Sequence, residues 1–304
     1  MSNNIVSNRH DILFLFDVVN GNPNGDPDAG NMPRIEPVSN RGLVSDVCLK
    51  RKVRNYIELR KPEASDGNLY EIFVKSGPAL EYKIRAAEEA TRNNPEETVK
   101  WLCRQFYDIR AFGGVLSVGT ETMKGSAYGQ VRGPVQFTFA ESYSPITPID
   151  VTITRCVATS IRDEEKERTM GSKFIVPYAL YSARIYVSPA LAERTGFTER
   201  DLDLLFEALN FMFEHDRSAA RPEINVRGIY DFEHVGTQPE SNRDANLSEA
   251  RLGCCHAYKL FEGIEVKLRE GKDSPESFDD YEIICHWDSK PLPNGVRLHK
   301  RHIS

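Results

Sequence analysis

Apolar residues occupy both alternating sets of positions in residues 10–20, where Ile12, Leu13, Phe14, Leu15, Phe16, Val18 and Val19 follow almost without interruption. A half-buried strand would alternate, so this pattern predicts a strand covered on both faces and central in its sheet. The apolar run gives way to the turn-forming stretch Asn20-Gly-Asn-Pro-Asn-Gly-Asp-Pro27 and Asp28. The period then becomes helical: Leu49, Val53, Tyr56 and Ile57 share one face behind Ser45, whose hydroxyl suits the cap of a helix running to about residue 59. Lys50 and Arg54 lie four apart with Arg51 beside them, and that spacing predicts a solvent-facing cationic flank.

Further along, Asn94-Pro95 opens a second helix, with Val99, Leu102, Cys103 and Phe106 on its apolar face and Gly113-Gly114 as its stop. Val135, Phe137 and Phe139 alternate with Gln136 and Thr138, and the alternation returns over 149–157, predicting a ribbon with Thr152 and Thr154 outward. Residues 161–173 are densely charged between strand-like flanks, the profile of a projecting hairpin or loop. Strand character resumes over 174–187. Thr198-Glu-Arg-Asp201 opens the clearest helix, with Leu202, Leu205, Phe206, Leu209 and Phe213 on one side, before a strand over 224–232. Residues 235–246 read as a polar, mobile stretch, followed by short strands over 264–268 and 281–287, a turn at Pro293-Asn294-Gly295 and a basic end over 297–302. Strands and helices that alternate this irregularly predict an α+β fold rather than a doubly wound parallel sheet.

Composition narrows the class without naming it. With 304 residues, 40% hydrophobic and 28% charged, the chain suits one large or two smaller globular units. The apolar runs are too short to span a bilayer and the first residues lack a signal peptide's apolar stretch, so no membrane association and a cytoplasmic location are expected. The six cysteines form no CxxC pair, and His256 beside Cys254-Cys255 has no ordered second ligand set, so reduced thiols and no metal centre are expected. The net charge of −6 argues against a surface that binds nucleic acid everywhere. Locally the balance reverses, because residues 41–54 hold five Lys or Arg against one Asp. A turn-rich loop feeding a basic helix makes a phosphate-facing ledge, since Gly and Asn turn amides outward and a helix N-terminus attracts anions.

Enzymatic chemistry has thin support. Asp17, Asp26 and Asp28 admit a divalent cation, which keeps a metal-dependent nuclease or phosphohydrolase as the alternative. Asx residues beside Gly and Pro are ordinary turn formers, however, and no EF-hand spacing follows. His10-Asp11 matches two residues of a phosphohydrolase motif without its partners. No nucleophile elbow, phosphate loop or HExxH helix is present.

The strand over 10–20, the loop from Asn20 to Pro27 and the run Arg41-Gly-Leu-Val-Ser-Asp-Val-Cys-Leu-Lys-Arg-Lys-Val-Arg54 resemble the RNA-coating backbone subunit of CRISPR Cascade complexes, most closely the type I-C form. The likeness continues through Phe112-Gly-Gly-Val115, Met170-Gly-Ser-Lys-Phe-Ile-Val-Pro-Tyr-Ala-Leu-Tyr181 and Arg227-Gly-Ile-Tyr230. It implies a single domain built on a modified RNA-recognition-motif (ferredoxin-like) palm, with a finger-like insertion over 60–95 and a thumb-like projection over 161–173. By the same resemblance Arg41, Ser45, Lys50 and Arg54 would grip phosphate, with Arg51 a weaker member. Asn20, Asn22 and Asn24 would shape the loop. Arg162, Lys166, Arg168 and Lys173 would act from the projection, with Met170 as an apolar wedge between bases. The implied partners are CRISPR guide RNA, target DNA through that guide, further copies in a filament, and the large and end-capping subunits, with no cofactor and no catalytic residue. In type III relatives a loop aspartate cleaves RNA, which is the role the alternative would give Asp26 or Asp28.

Overall fold

The computed structural model describes residues 4–65, 67–116, 123, 127–154, 157, 161, 170–239 and 242–303. The first strand, β1 (His10–Gly21), sends Ile12, Phe14, Phe16 and Val18 to one face of its sheet and Leu13 and Leu15 to the other. Two short strands, β2 (Gly25–Asp26) and β3 (Met32–Pro33), pair with each other before β4 (Arg41–Val44) enters α1 (Asp46–Arg60). Next come α2 (Leu80–Ala90), α3 (Pro95–Gln105), α4 (Tyr107–Phe112), the paired β5 (Gly113–Val115) and β6 (Gln130–Arg132), then β7 (Val135–Phe137) and β8 (Ala140–Pro145). β9 (Ile149–Thr154) runs beside the first residues of the long β10 (Met170–Val187). After α5 (Pro189–Thr195), α6 (Glu199–Phe211) and β11 (Glu223–His234), the remaining elements are α7 (Arg243–Leu252), α8 (Ala257–Phe261), the paired β12 (Ile264–Leu268) and β13 (Tyr281–Cys285), and β14 (Val296–Ile303).

The main sheet runs in the order β14-β11-β1-β10-β8-β4, with β7 and β9 also paired to β10. Its kernel is β1-α1-β8-β10-α6-β11 in spatial order β11-β1-β10-β8, with every neighbouring pair antiparallel. That is the split βαβ arrangement of ferredoxin-like domains, so the expected α+β class and palm topology are both present. α1 and α6 cover the first face through Leu49, Val53, Ile57, Leu202, Leu205 and Leu209. The second face is closed as well: Leu13, Leu15, Tyr230 and Phe232 pack under Leu260, Phe261 and Ile264. Two covered faces explain why β1 is apolar at both parities.

Capping chemistry places the helices as expected. Ser45 caps α1, Asn94 caps α3 with Pro95 in its first turn, and Thr198 and Asp201 form a reciprocal capping box on α6. The helix expected to run on toward Gly113 breaks at Phe106, whose backbone is extended at φ −114° and ψ 116°. There Tyr107 N–H bonds to Glu71 O at 3.0 Å while the Phe106 ring packs edge-on against Phe73 at 5.3 Å, so tertiary contacts replace the helical ladder. The stretch expected to be mobile over 235–246 instead leads into α7. Its approach is pinned by Asn246, which donates to Val235 O at 2.9 Å and accepts from Gln238 N–H at 3.0 Å. α2 and α5 had no clear signal in the sequence. A separate core of Phe73, Ile84, Leu102, Cys103, Phe106, Ile109 and Val131 unites α2, α3, α4 and β6, and burial pushes the Cys103 thiol up to about 12. No helix among the described residues is long and apolar enough to cross a membrane.

Candidate nucleic-acid interface

The loop after β1 is a built bracket rather than a flexible turn. Asn24 Oδ1 accepts from both the amide and the hydroxyl of Ser45, each at 2.9 Å, and Ser45 Oγ accepts from Cys48 N–H at 3.4 Å. The loop therefore holds the capping residue of α1 directly. Asn22 is 5% exposed; its side-chain amide donates to Asn31 O at 2.8 Å and its backbone N–H to Ala220 O at 2.7 Å. Asn22 and Asn24 are thus internal struts. Asn20 alone of the three is exposed, in a left-handed conformation with φ 48°.

The cations of α1 depart from the expected solvent-facing flank. Lys50 and Arg54 side chains are only 13% and 12% exposed, and each has an acidic partner: Asp46 at 2.9 Å and Asp108 at 2.8 Å. Arg51 donates to Val74 O at 2.7 Å, and Lys52 is buried in an ion pair with Asp216, which also holds Arg221 at 2.7 Å. The reason is the insertion after α1, which brings α4 and the 73–74 turn against the helix. Asp108 is wholly buried and accepts from Arg54 Nε, Phe73 N–H at 2.7 Å and Val74 N–H at 3.0 Å. Lys50 and Arg54 still converge: the Phe112 ring lies 6.0 Å from Lys50 Nζ and 5.2 Å from the Arg54 guanidinium carbon. Phe112 and Asp108 were not anticipated as parts of the site, although two charges inside the apolar run Tyr107–Phe112 were a readable signal of buried pairing.

Elsewhere, Arg41 is exposed on β4 and paired with Glu141 at 3.2 Å. Met170 and Lys173 lie on the ribbon of β9 and β10, Met170 69% exposed and Lys173 donating to Ala219 O. Every residue of β9 is exposed. The register puts Ile149 opposite Ile175 and Val151 opposite Lys173 on one face, with Thr152 opposite Ser172 on the other. Arg162, Lys166 and Arg168 lie outside the described residues.

Of the aspartates of the nuclease alternative, Asp17 and Asp26 are engaged in structural bonds, whereas Asp28 is exposed. Asp17 is buried and accepts from Tyr178 Oη, Asn225 Nδ2 and Arg227 Nε at 3.1, 3.0 and 2.8 Å. Asp26 pairs with Arg34 at 3.3 Å and accepts from Asp28 N–H. His10 and Asp11 point to opposite faces, His10 to Asp231 at 2.8 Å and Asp11 to His234 at 2.9 Å. Burial alone would lower the His10 pKa, but the hydrogen bond and charge of Asp231 outweigh it and hold the imidazole above its usual value.

A model of the family described as CRISPR-associated protein Cas7 matches residues 8–286. The chain belongs to the Cas7 family. A relative from Haloferax volcanii described as CRISPR-associated protein Cas7 is 24% identical over 257 residues, 75% of this chain and 73% of its own length. Among solved structures, a chain of a CRISPR RNA-guided surveillance complex in a pre-nicking state is 16% identical with a TM-score of 0.47, covering 76% of this chain and 79% of its own. A chain of a second CRISPR RNA-guided surveillance complex is 17% identical with a TM-score of 0.44, covering 84% and 80%. In this Cas7 chain the central sheet positions, where RNA-recognition motifs usually stack bases, lie beneath α8 and β12.

Proposed function

We propose that this Cas7 chain coats CRISPR guide RNA without cutting it, as the backbone subunit of a type I-C Cascade complex. The observation that carries the reading is the convergence of Lys50 and Arg54 on Phe112, one helical turn apart, on the same helix whose cap the Asn20–Asp28 loop holds. The bond to Asp108 uses Arg54 Nε and leaves the η nitrogens for a phosphate, while Lys50 keeps further N–H donors beyond Asp46. Such contacts grip a backbone without reading bases, which suits a subunit whose specificity is delegated to pairing between guide and target DNA.

Repeated copies side by side complete the assignment. The exposed ribbon of β9 and β10 leads into 161–173 and serves as the thumb, its Ile149, Val151 and Ile153 face meeting the next copy and Met170 wedging between bases. The insertion that begins after α1 acts as the fingers, and the large and end-capping subunits close the ends of the filament in the cytoplasm. The full chain, produced in a bacterial host that carries a CRISPR array and purified without added RNA, is expected to retain short RNA derived from that array. RNA-free protein that degrades RNA with magnesium, and loses that activity on Asp26→Ala with Asp28→Ala, would establish the nuclease instead.

A further inference from the structure

The insertion that follows α1 bounds a cavity of about 620 Å³, well within the range of ligand sites, between the last turn of α1, the stretch 69–72 and the first turn of α2. It is apolar at Ile57 and Ile72, and Lys61, Lys75 and Lys83 bring three amines to it. The amines differ in their surroundings. Lys75 is paired with Glu58 where both side chains are exposed, and Lys61 is exposed as well. Lys83 is half-buried, and no carboxylate among the described residues pairs with it. Its Nζ donates to Ile72 O at 2.7 Å and to Phe73 O at 2.8 Å, and lies 5.8 and 5.2 Å from the ring centres of Phe73 and Phe106. We propose that Lys83 is an acylation site that takes its acyl group from a small acyl phosphate, and that this modification loosens the turn holding Asp108 against Arg54.

Burial, aided by the charge of Lys75, holds the Lys83 amine below the usual lysine range against the opposing charges of Asp108, Glu71 and Glu58, so more of it is neutral than of a solvated lysine. A desolvated neutral amine is a nucleophile. It has two hydrogens, and with both donated to Ile72 O and Phe73 O its lone pair is turned away from those carbonyls. The lone pair attacks the acyl carbon and a C–N bond forms; the C–O bond to the phosphate breaks, and the phosphate leaves with that electron pair and takes the surplus N–H proton. Lys61 and Lys75 suit the phosphoryl group while the acyl chain faces Ile57 and Ile72, and the Lys75 pair with Glu58, exposed on both sides, is weak enough to exchange. The product amide keeps one N–H and no charge, so at least one carbonyl bond and both ring contacts of the cation are lost. Phe73 and Val74 supply the amides at 2.7 and 3.0 Å that hold Asp108, and Asp108 holds Arg54. The effect on RNA therefore rests on the coating role proposed above, whereas the modification itself does not.

The test incubates the full chain with acetyl phosphate and reads acetyl occupancy at every lysine over time by digestion and mass spectrometry. Lys83 is expected to be acetylated about tenfold faster than the exposed Lys259, and the Phe73 and Val74 amides of the acetylated chain to exchange hydrogen faster than those of the parent. Acetylation of Lys83 no faster than that of Lys259 overturns the site, and a rate from acetyl-CoA equal to or above that from acetyl phosphate overturns the assignment of the donor. The acetylated chain and Lys83→Gln are expected to bind single-stranded RNA about tenfold more weakly than the parent, whereas Lys83→Arg, which keeps the charge and resists acetylation, binds as the parent does before and after treatment. An acetylated parent that binds RNA unchanged, or a treated Lys83→Arg variant that loses binding as the parent does, overturns the link from Lys83 to Arg54. An untreated parent that binds no RNA, while Lys83 is acetylated at the expected rate, overturns the coating role and leaves the acylation site standing.

Discussion

Replacing Arg54 by Ala tests the buried pair that underlies the proposed interface. Asp108 has no exposed surface, and Arg54 is its one cationic partner among the described residues. Removing one member of a buried pair commonly costs about 3–5 kcal/mol, because the other charge is left uncompensated. Here Asp108 keeps the amides of Phe73 and Val74 as donors, and Arg54 is itself slightly exposed, so the lower end, about 3 kcal/mol, is expected. The lost contact with Phe112 adds roughly 0.5–1 kcal/mol. For a chain of this size that is a drop in Tm of roughly 5–7 °C. Urea unfolding of the parent, Arg54→Ala, Asp108→Asn and the double variant measures the pair as a cycle, and a coupling above about 1 kcal/mol is expected for residues in direct contact. If Arg54→Ala unfolds within about 0.5 kcal/mol of the parent, Asp108 is not an uncompensated charge, and its assigned role as the hub joining α1, α4 and the 73–74 turn is wrong.

Lys50→Ala is the cleaner probe of RNA contact: its i,i+4 pair with Asp46 is worth only about 0.5 kcal/mol, yet the salt dependence of RNA binding should fall by about one unit of slope. An unchanged slope would remove Lys50 from the interface. Asp201→Ala strands Arg110, which is fully buried and paired to it at 2.7 Å, and also removes half of the α6 capping box; a loss of about 3–5 kcal/mol in urea unfolding is expected, and less than about 1 kcal/mol would contradict the burial. The raised pKa of His10 means that the folded state binds its proton more tightly than the unfolded state, whose value is near 6.5. Its contribution is complete below that value and is lost as pH rises through the folded pKa, so the stability gap between parent and His10→Gln should shrink as pH is raised from 6.5; a gap that stays constant or widens reverses the sign.

Local chemistry was legible wherever one residue decides the local structure. Ser45, Asn94 and Thr198 each cap the helix expected of them, and the doubly apolar pattern of β1 correctly announced a central strand. What could not be read was which distant segment would arrive to satisfy a charge. Lys50, Lys52 and Arg54 look alike as cations on one helix, and only the arrival of Asp108, 54 residues later, and Asp216, 164 residues after Lys52, turns two of them into buried struts. Phe106 had the apolar spacing of an unbroken helix, and the break there depends on Phe73 and Glu71 from a segment with no pattern of its own. Loop asparagines posed the same problem. Asn20, Asn22 and Asn24 alternate in sequence, yet two point inward because the chain at Asn31, Ala220 and Ser45 meets them there.

The cover over the second face of the sheet also sets an order of events during synthesis. β1, β10 and β11 can pair as soon as His234 has emerged, but α8, β12, β13 and β14 lie further along the chain. At ribosomal speeds the interval before β14 is complete is on the order of ten seconds. For that time Leu13, Leu15, Tyr230 and Phe232 form an uncovered apolar slab, and β11 presents an unpaired edge where β14 will later add. A nascent chain in that state invites capture by chaperones or by a second nascent chain on the same message, so slow codons between residues 234 and 296 would be expected to lower the yield of folded subunit without changing a single side chain.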